Sequence, residues 1–184
     1  TVIQVETITL SQTSLTLTED RTARLSVTLT PEALSDKSVT WSSSSSAVAT
    51  VSSDGLVTAV KAGVATITVT SKAYPQKSAT CTVTVLPKVS GVEVSPSSAT
   101  LTVGDTKVLS ATVLPQNVAS TEVVWSSSDE SVATVGADGK VTALKAGNAT
   151  ITAASKEDPS KKGVCSVTVI QVETITLSQT SLTL

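Results

Sequence analysis

The sequence contains no histidine, no phenylalanine and no methionine. Without histidine, Ser-His-Asp and Cys-His catalysis are excluded, and so is every metal site that uses imidazole. A Ser-Lys pair stays open as nucleophile and base, but the lysines fall at turns and strand ends. No glycine-rich phosphate loop is present. Aromatic residues are confined to Trp41, Tyr74 and Trp125. Glycan recognition commonly uses exposed aromatic platforms, and Tyr74 alone is available for one. Arg21 and Arg24 are the only arginines, so the Trp, Tyr and Arg residues that usually carry binding hot spots are scarce. Charge is sparse too: 13 basic against 15 acidic residues leave a net −2, scattered along the chain. A nucleic-acid or anionic-membrane surface needs clustered Lys and Arg. No apolar run approaches the ~20 residues that span a bilayer. No leader peptide is present, as expected of a piece internal to an array. These absences exclude an enzyme of the common types and predict no cofactor.

Acidic residues are equally thin as metal ligands. Asp129-Glu130, Asp54 and Asp138 are the best candidates, and none lies in a dense loop of the kind that holds calcium. Solvated turns are the expected role, and no metal is predicted. The two cysteines, Cys81 and Cys165, fall one to each repeat described below, so neither repeat can close its own disulfide. Each is in phase with apolar neighbours, Val83 and Val85 or Val167 and Val169. The expectation is a small buried hydrophobe with an inert thiol. The alternative is a crosslink between molecules in an oxidising compartment, which needs an exposed thiol.

What the chain has in quantity is serine and threonine, about a third of all residues. They sit in alternation with valine, leucine and isoleucine. Leu25, Val27 and Leu29 alternate with Ser26, Thr28 and Thr30. Ala65, Ile67 and Val69 alternate with Thr66, Thr68 and Thr70. A period of two with one apolar face marks antiparallel strands packed on one side, and β-branched Thr and Val suit the pleat. Turn signals separate the runs, among them Asp54-Gly55, Ala62-Gly63 and Tyr74-Pro75.

The pattern occurs twice. Trp41 and Trp125, Cys81 and Cys165, and Pro31 and Pro115 are each 84 positions apart. Residues 5–85 align with 89–169 without a gap, and about half are identical. Self-similarity at a fixed period outranks other signals in reading a fold. The expected fold class is all-β: tandem Ig-like Greek-key sandwiches of about seven strands each. The expected domains are residues 1–86, residues 87–169 and a third element, residues 170–184. Pro87 stiffens the first junction. The second, around Ile170-Gln171, is one residue shorter and lacks the proline.

One stretch is long enough to name a family. Residues 41–68 read WSSSSSAVATVSSDGLVTAVKAGVATIT, and residues 125–152 read WSSSDESVATVGADGKVTALKAGNATIT. The chain resembles the bacterial Ig-like group 2 family over essentially its whole length. That family occurs in intimin- and invasin-type adhesins, other surface proteins and some phage structural proteins. The resemblance implies a secreted or cell-surface protein. From the residues themselves, Trp41 and Trp125 are expected as the central plugs of their cores, joined by Cys81 and Cys165. The motif specifies a fold and no ligand.

A second repeat is longer in period. Residues 1–17 read TVIQVETITLSQTSLTL, and residues 168–184 read the same, letter for letter. Two domains that differ at half their positions are thus followed by an unchanged copy of the beginning. The simplest account is a unit of 167 residues, two unlike domains long. The final segment then starts the next copy as its first strand. Its alternating apolar residues are Val172, Ile175, Leu177, Leu182 and Leu184, which are the candidate assembly positions. An isolated strand is not stable in water. The segment is therefore expected either to begin a third domain or to pair with a neighbouring molecule. The expected partners are homotypic: further copies of the same repeat, joined end to end in a surface stalk or filament. The competing readings are a module that binds a host receptor or glycan directly, and a phage appendage.

Overall fold

The computed structural model describes residues 5–172. The chain divides into two compact units, residues 1–88 with 117–119 and residues 89–116 with 120–184. Among the described residues every regular element is a strand.

The first unit has nine strands: β1 (Thr7–Leu10), β2 (Ser14–Thr18), β3 (Thr22–Arg24), β4 (Val27–Thr30), β5 (Val39–Ser43), β6 (Ala49–Val51), β7 (Leu56–Ala59), β8 (Gly63–Ser71) and β9 (Ser78–Leu86). One sheet runs β2-β9-β8-β5. Opposite it lie β3-β7-β6 and, continuing the same layer, β1-β4. The count exceeds seven because two strands are each interrupted. The strand β3–β4 breaks at Leu25, whose N–H turns away to the carbonyl of Gly55 at 2.9 Å. The segment β1–β2 breaks at residues 11–13, where the chain crosses from one sheet to the other. Ser11 N–H still bonds Ser26 O, at 2.9 Å, while Thr13 O already accepts from Thr82 N–H, at 2.9 Å. As a result β1 pairs antiparallel with β4, and β2 pairs parallel with β9.

The core lies between the layers. Leu25, Val57, Ile67, Val69, Cys81 and Val83 are almost wholly buried. Strands β8 and β9 alternate buried residues with outward Thr and Ser, so the period-two sequence is the period-two burial. Each fully buried Val or Ile contributes roughly 1.5–3 kcal/mol. A smaller cluster of Val5, Leu29 and Leu34 is flanked by Ile8, Val27, Val39 and Tyr74.

The second unit repeats this plan with β10 (Gly91–Ser95), β11 (Ser98–Thr102), β12 (Thr106–Val108), β13 (Ser110–Leu114), β14 (Val123–Ser127), β15 (Ala133–Val135), β16 (Lys140–Ala143), β17 (Gly147–Ser155) and β18 (Lys162–Ile170). Its sheets are β11-β18-β17-β14, β12-β16-β15 and β10-β13. The parallel pair recurs between β11 and β18 in the same register, shifted by the sequence offset.

The tryptophans are not central plugs. Trp41 and Trp125 sit on β5 and β14, edge strands of their sheets, and are half-buried against the core rather than within it. Their rings are covered from one side by the Asp-Gly turns. A Cβ added to Gly55 would meet Trp41 Cζ2 at 3.0 Å, and one added to Gly139 would meet Trp125 Cζ2 at 3.1 Å. The centre is filled by aliphatic side chains from β8, β9 and β7, which are flanked by strands on both sides. An edge strand is covered on one side only, and a bulky ring there seals the margin. The long motif is therefore one packing unit: a ring on an edge strand and a glycine turn laid over it.

Candidate assembly site

The repeated 17 residues can be followed in the first unit, where residues 5–17 are described. They supply β1 and most of β2, so the segment is two strands in two sheets rather than a single first strand. The break follows from the polar crossover at Ser11, Gln12 and Thr13, which leaves one ladder and joins the other. Backbone bonds fix the segment near its start and just beyond its end. Glu6 N–H donates to Thr30 O at 2.8 Å, and Glu19 N–H donates to Leu86 O at 3.0 Å. Lys77 Nζ adds a bond to Glu6 O at 2.8 Å.

Five apolar positions of the segment face inward. Val5 is buried at 3% exposure, and Ile8 packs against the same small cluster. Leu10, Leu15 and Leu17 pack against the main core. The registers place Ile8 opposite Leu29, Leu15 opposite Val83 and Leu17 opposite Val85. In the second copy of the segment these five positions are Val172, Ile175, Leu177, Leu182 and Leu184. Val172 is 65% exposed. The other four lie outside the described residues.

The remaining candidates are placed as follows. Cys81 and Cys165 are buried, unpaired as disulfides and opposite Ile67 and Ile151. Burial pushes both thiols up from their ordinary pKa. Asp54 holds Arg24 in an ion pair at 2.8 Å. Its pKa is lowered to about 2, first by the Ser52 hydroxyl and then by Arg24. Asp129 accepts from Ser131 N–H at 2.9 Å and Ser131 Oγ at 2.6 Å, which lowers its pKa. Both carboxylates thus serve turns. Among the described residues no three His, Cys, Asp or Glu side chains converge on a metal position. Tyr74, by sequence the one aromatic available as a platform, is instead half-buried against the Val5 cluster. No sequence signal marked this, because the contact joins the turn after β8 to the stretch before β1.

The profile of the bacterial Ig-like domain (group 2) matches residues 4–83 and again residues 88–167. An uncharacterized protein of Clostridium acetobutylicum is 36% identical over 160 residues, 87% of this chain and 16% of that protein. A 3-O-alpha-D-galactosyl-alpha-L-arabinofuranosidase of Bifidobacterium longum subsp. longum is 47% identical over 93 residues, 47% of this chain and 8% of the enzyme. An Ig-like virion protein of Serratia phage KSP90 is 33% identical over 172 residues, 91% of this chain and 66% of that protein. This chain thus spans under a fifth of the first two relatives and about two thirds of the third. With the profile matching twice, over residues 4–83 and 88–167, this chain belongs to the bacterial Ig-like domain (group 2) family.

Proposed function

We propose that this chain is one repeat of a structural stalk or filament on a bacterial surface, with no chemistry of its own. The observation that carries the reading is the unchanged recurrence of residues 1–17 at residues 168–184. In the first unit that segment completes both sheets. Its copy has the side chains to do the same for a further domain of the first kind. The geometry supports end-to-end growth with a period of 167 residues, each period being one pair of unlike sandwiches. We favour the covalent version, in which the segment continues directly into the next domain. In the strand-exchange version, separate subunits would be joined only by the donated strands, and such a head-to-tail contact also propagates.

The two versions separate on a denaturing gel. The native assembly is boiled in detergent and reductant and probed with an antibody against residues 18–167. A ladder or band many repeats in size is the expected result. Collapse to a band the size of one 167-residue period would refute the covalent array and leave strand exchange. A second reading is a phage appendage. It is supported by the likeness to the phage virion protein over 91% of the chain, and antibody labelling of purified virions against cell envelopes distinguishes it. The part matched in the arabinofuranosidase is 8% of that enzyme, the proportion of an accessory module.

A further inference from the structure

The end of the second unit from which residues 170–172 emerge differs from the same end of the first unit. In the second unit, Val103 N–H donates to Ile170 O at 2.9 Å, and Gly104 N–H donates to Ala143 O at 2.9 Å. These bonds gather Val103, Leu144 and Ile170 around Gly104. Their side chains face water: Val103 is 39%, Leu144 48% and Ile170 47% exposed. Val172 follows two residues later. Three large aliphatic residues exposed side by side at one end of a small domain are an interaction surface in the making.

The matching positions in the first unit are Glu19, Val60 and Leu86, with Asp20 in place of Gly104. That end is held by charge. Glu19 Oε1 accepts from Ala62 N–H at 2.9 Å, and Asp20 pairs with Lys88. The backbone bonds are the same in both units, Glu19 N–H to Leu86 O and Asp20 N–H to Ala59 O. The fold therefore does not demand an apolar residue at position 103. The opposite ends differ in the other sense. Around Val5 the first unit carries Leu34 and Tyr74. The second unit has Val118 and Asp158 at those positions.

We infer that Val103, Leu144 and Ile170 form a docking surface for a following domain of the first kind, received at its Leu34 and Tyr74 end. This rests on the array reading above. Two observations name the occupant. The segment that follows Ile170 is the unchanged beginning of the first unit, so a domain of that kind is the one the chain leads into. Val172 is the counterpart of Val5, which is buried in the cluster that Tyr74 and Leu34 help to form. Joining Val172 to such a cluster brings that end of the following domain within two residues of Ile170. The separation of about 3.3 Å per extended residue leaves little room between them.

The test uses the chain lengthened by one period, so that residue 184 is followed by a further copy of residues 18–167 and then of 168–184. Endoproteinase Glu-C is added under native conditions, and cleavage after Glu173 is followed by mass spectrometry. The parent is compared with V103T/L144T/I170T and with V103T alone, substitutions that remove exposed aliphatic surface without adding a site for the protease. The variants should be cut at Glu173 at least tenfold and about threefold faster. Their unfolding midpoints in the single 184-residue chain should match the parent, which shows the domain itself intact. Equal cleavage of all three lengthened chains overturns the inference while leaving the covalent array standing. Sedimentation supplies the other arm. Head-to-tail self-association of the 184-residue chain, abolished by the same substitutions and without protection in the lengthened chain, would assign the surface to a second molecule and overturn the in-line docking.

Discussion

The contact between the Asp-Gly turn and the tryptophan ring yields a quantitative expectation at Gly139. This glycine has φ +77°, where a side chain costs roughly 1–2 kcal/mol. A Cβ there would also lie 2.4 Å from Leu109 O and 3.1 Å from Trp125 Cζ2. The carbonyl cannot swing away, because it belongs to the backbone that hydrogen bonds this turn through Leu109 N–H to Gly139 O at 2.9 Å. Overpacking of this kind costs about 1–3 kcal/mol more. Gly139→Ala is therefore expected to destabilise the second unit by about 2–5 kcal/mol. That is a large part of the roughly 0.05–0.15 kcal/mol per residue that a small domain has. Gly104 separates the two causes. Its φ is +94°, yet nothing lies within 4 Å of its missing Cβ. Gly104→Ala should show the backbone cost alone, about 1–2 kcal/mol. Gly104→Asp should cost still less, since Asp20 occupies the same position at φ 65° in the first unit, and Asp tolerates that region better than most residues. Denaturant titration followed by tryptophan fluorescence reads both units, one ring in each, with the first unit's transition as internal reference. A Gly139→Ala loss no larger than that of Gly104→Ala would refute the packing argument.

Two further expectations follow from buried and paired groups. A maleimide added to native protein should label neither Cys81 nor Cys165, while denatured protein should take up two equivalents; rapid native labelling would remove both from the core. Asp54 has its folded pKa lowered from 3.8 to about 2, so its contribution is complete above about pH 4 and is lost as the pH falls toward 2. The unfolding midpoint of wild type should exceed that of Asp54→Asn at pH 5, and the gap should narrow by pH 2. A gap of the same size at both pH values would show that the carboxylate charge contributes nothing.

The sequence displayed most of this architecture, and the parts it hid have a common cause. Alternation of Thr with Val or Ile in residues 63–71 and 78–86 reads directly as β8 and β9, because both strands are central and one face of each is buried throughout. The repeat offset carried the second unit's strands as well. The splitting of β1 from β2 and of β3 from β4 was not visible. Each break depends on a hydrogen bond to a residue distant in sequence, Thr13 to Thr82 and Leu25 to Gly55. Size alone points Trp41 to the centre, whereas its position is set by which strand ends the sheet. The cover over Tyr74 is hidden from the sequence in a similar way: Val5 and Leu34 are brought to it only by the closed sandwich. Within the assembly segment, the alternation at Val172, Ile175, Leu177, Leu182 and Leu184 repeats the one that turns Val5, Ile8, Leu10, Leu15 and Leu17 inward.

The parallel pairing of β2 with β9 has a mechanical meaning. Tension along a chain of such units pulls the beginning of each domain backward and its end forward. Strand β2 lies near the beginning and β9 at the end, and the two run in the same direction over five paired residues, Ser14–Thr18 against Thr82–Leu86. Load that passes the β1–β4 pairing therefore acts along the β2–β9 ladder, and its hydrogen bonds are strained together in shear. An antiparallel pair pulled from neighbouring ends would instead peel open one bond after another. The crossover at residues 11–13 moves the second segment of each sandwich beside its last strand, and so sets these end-proximal strands in shear along the line of pull.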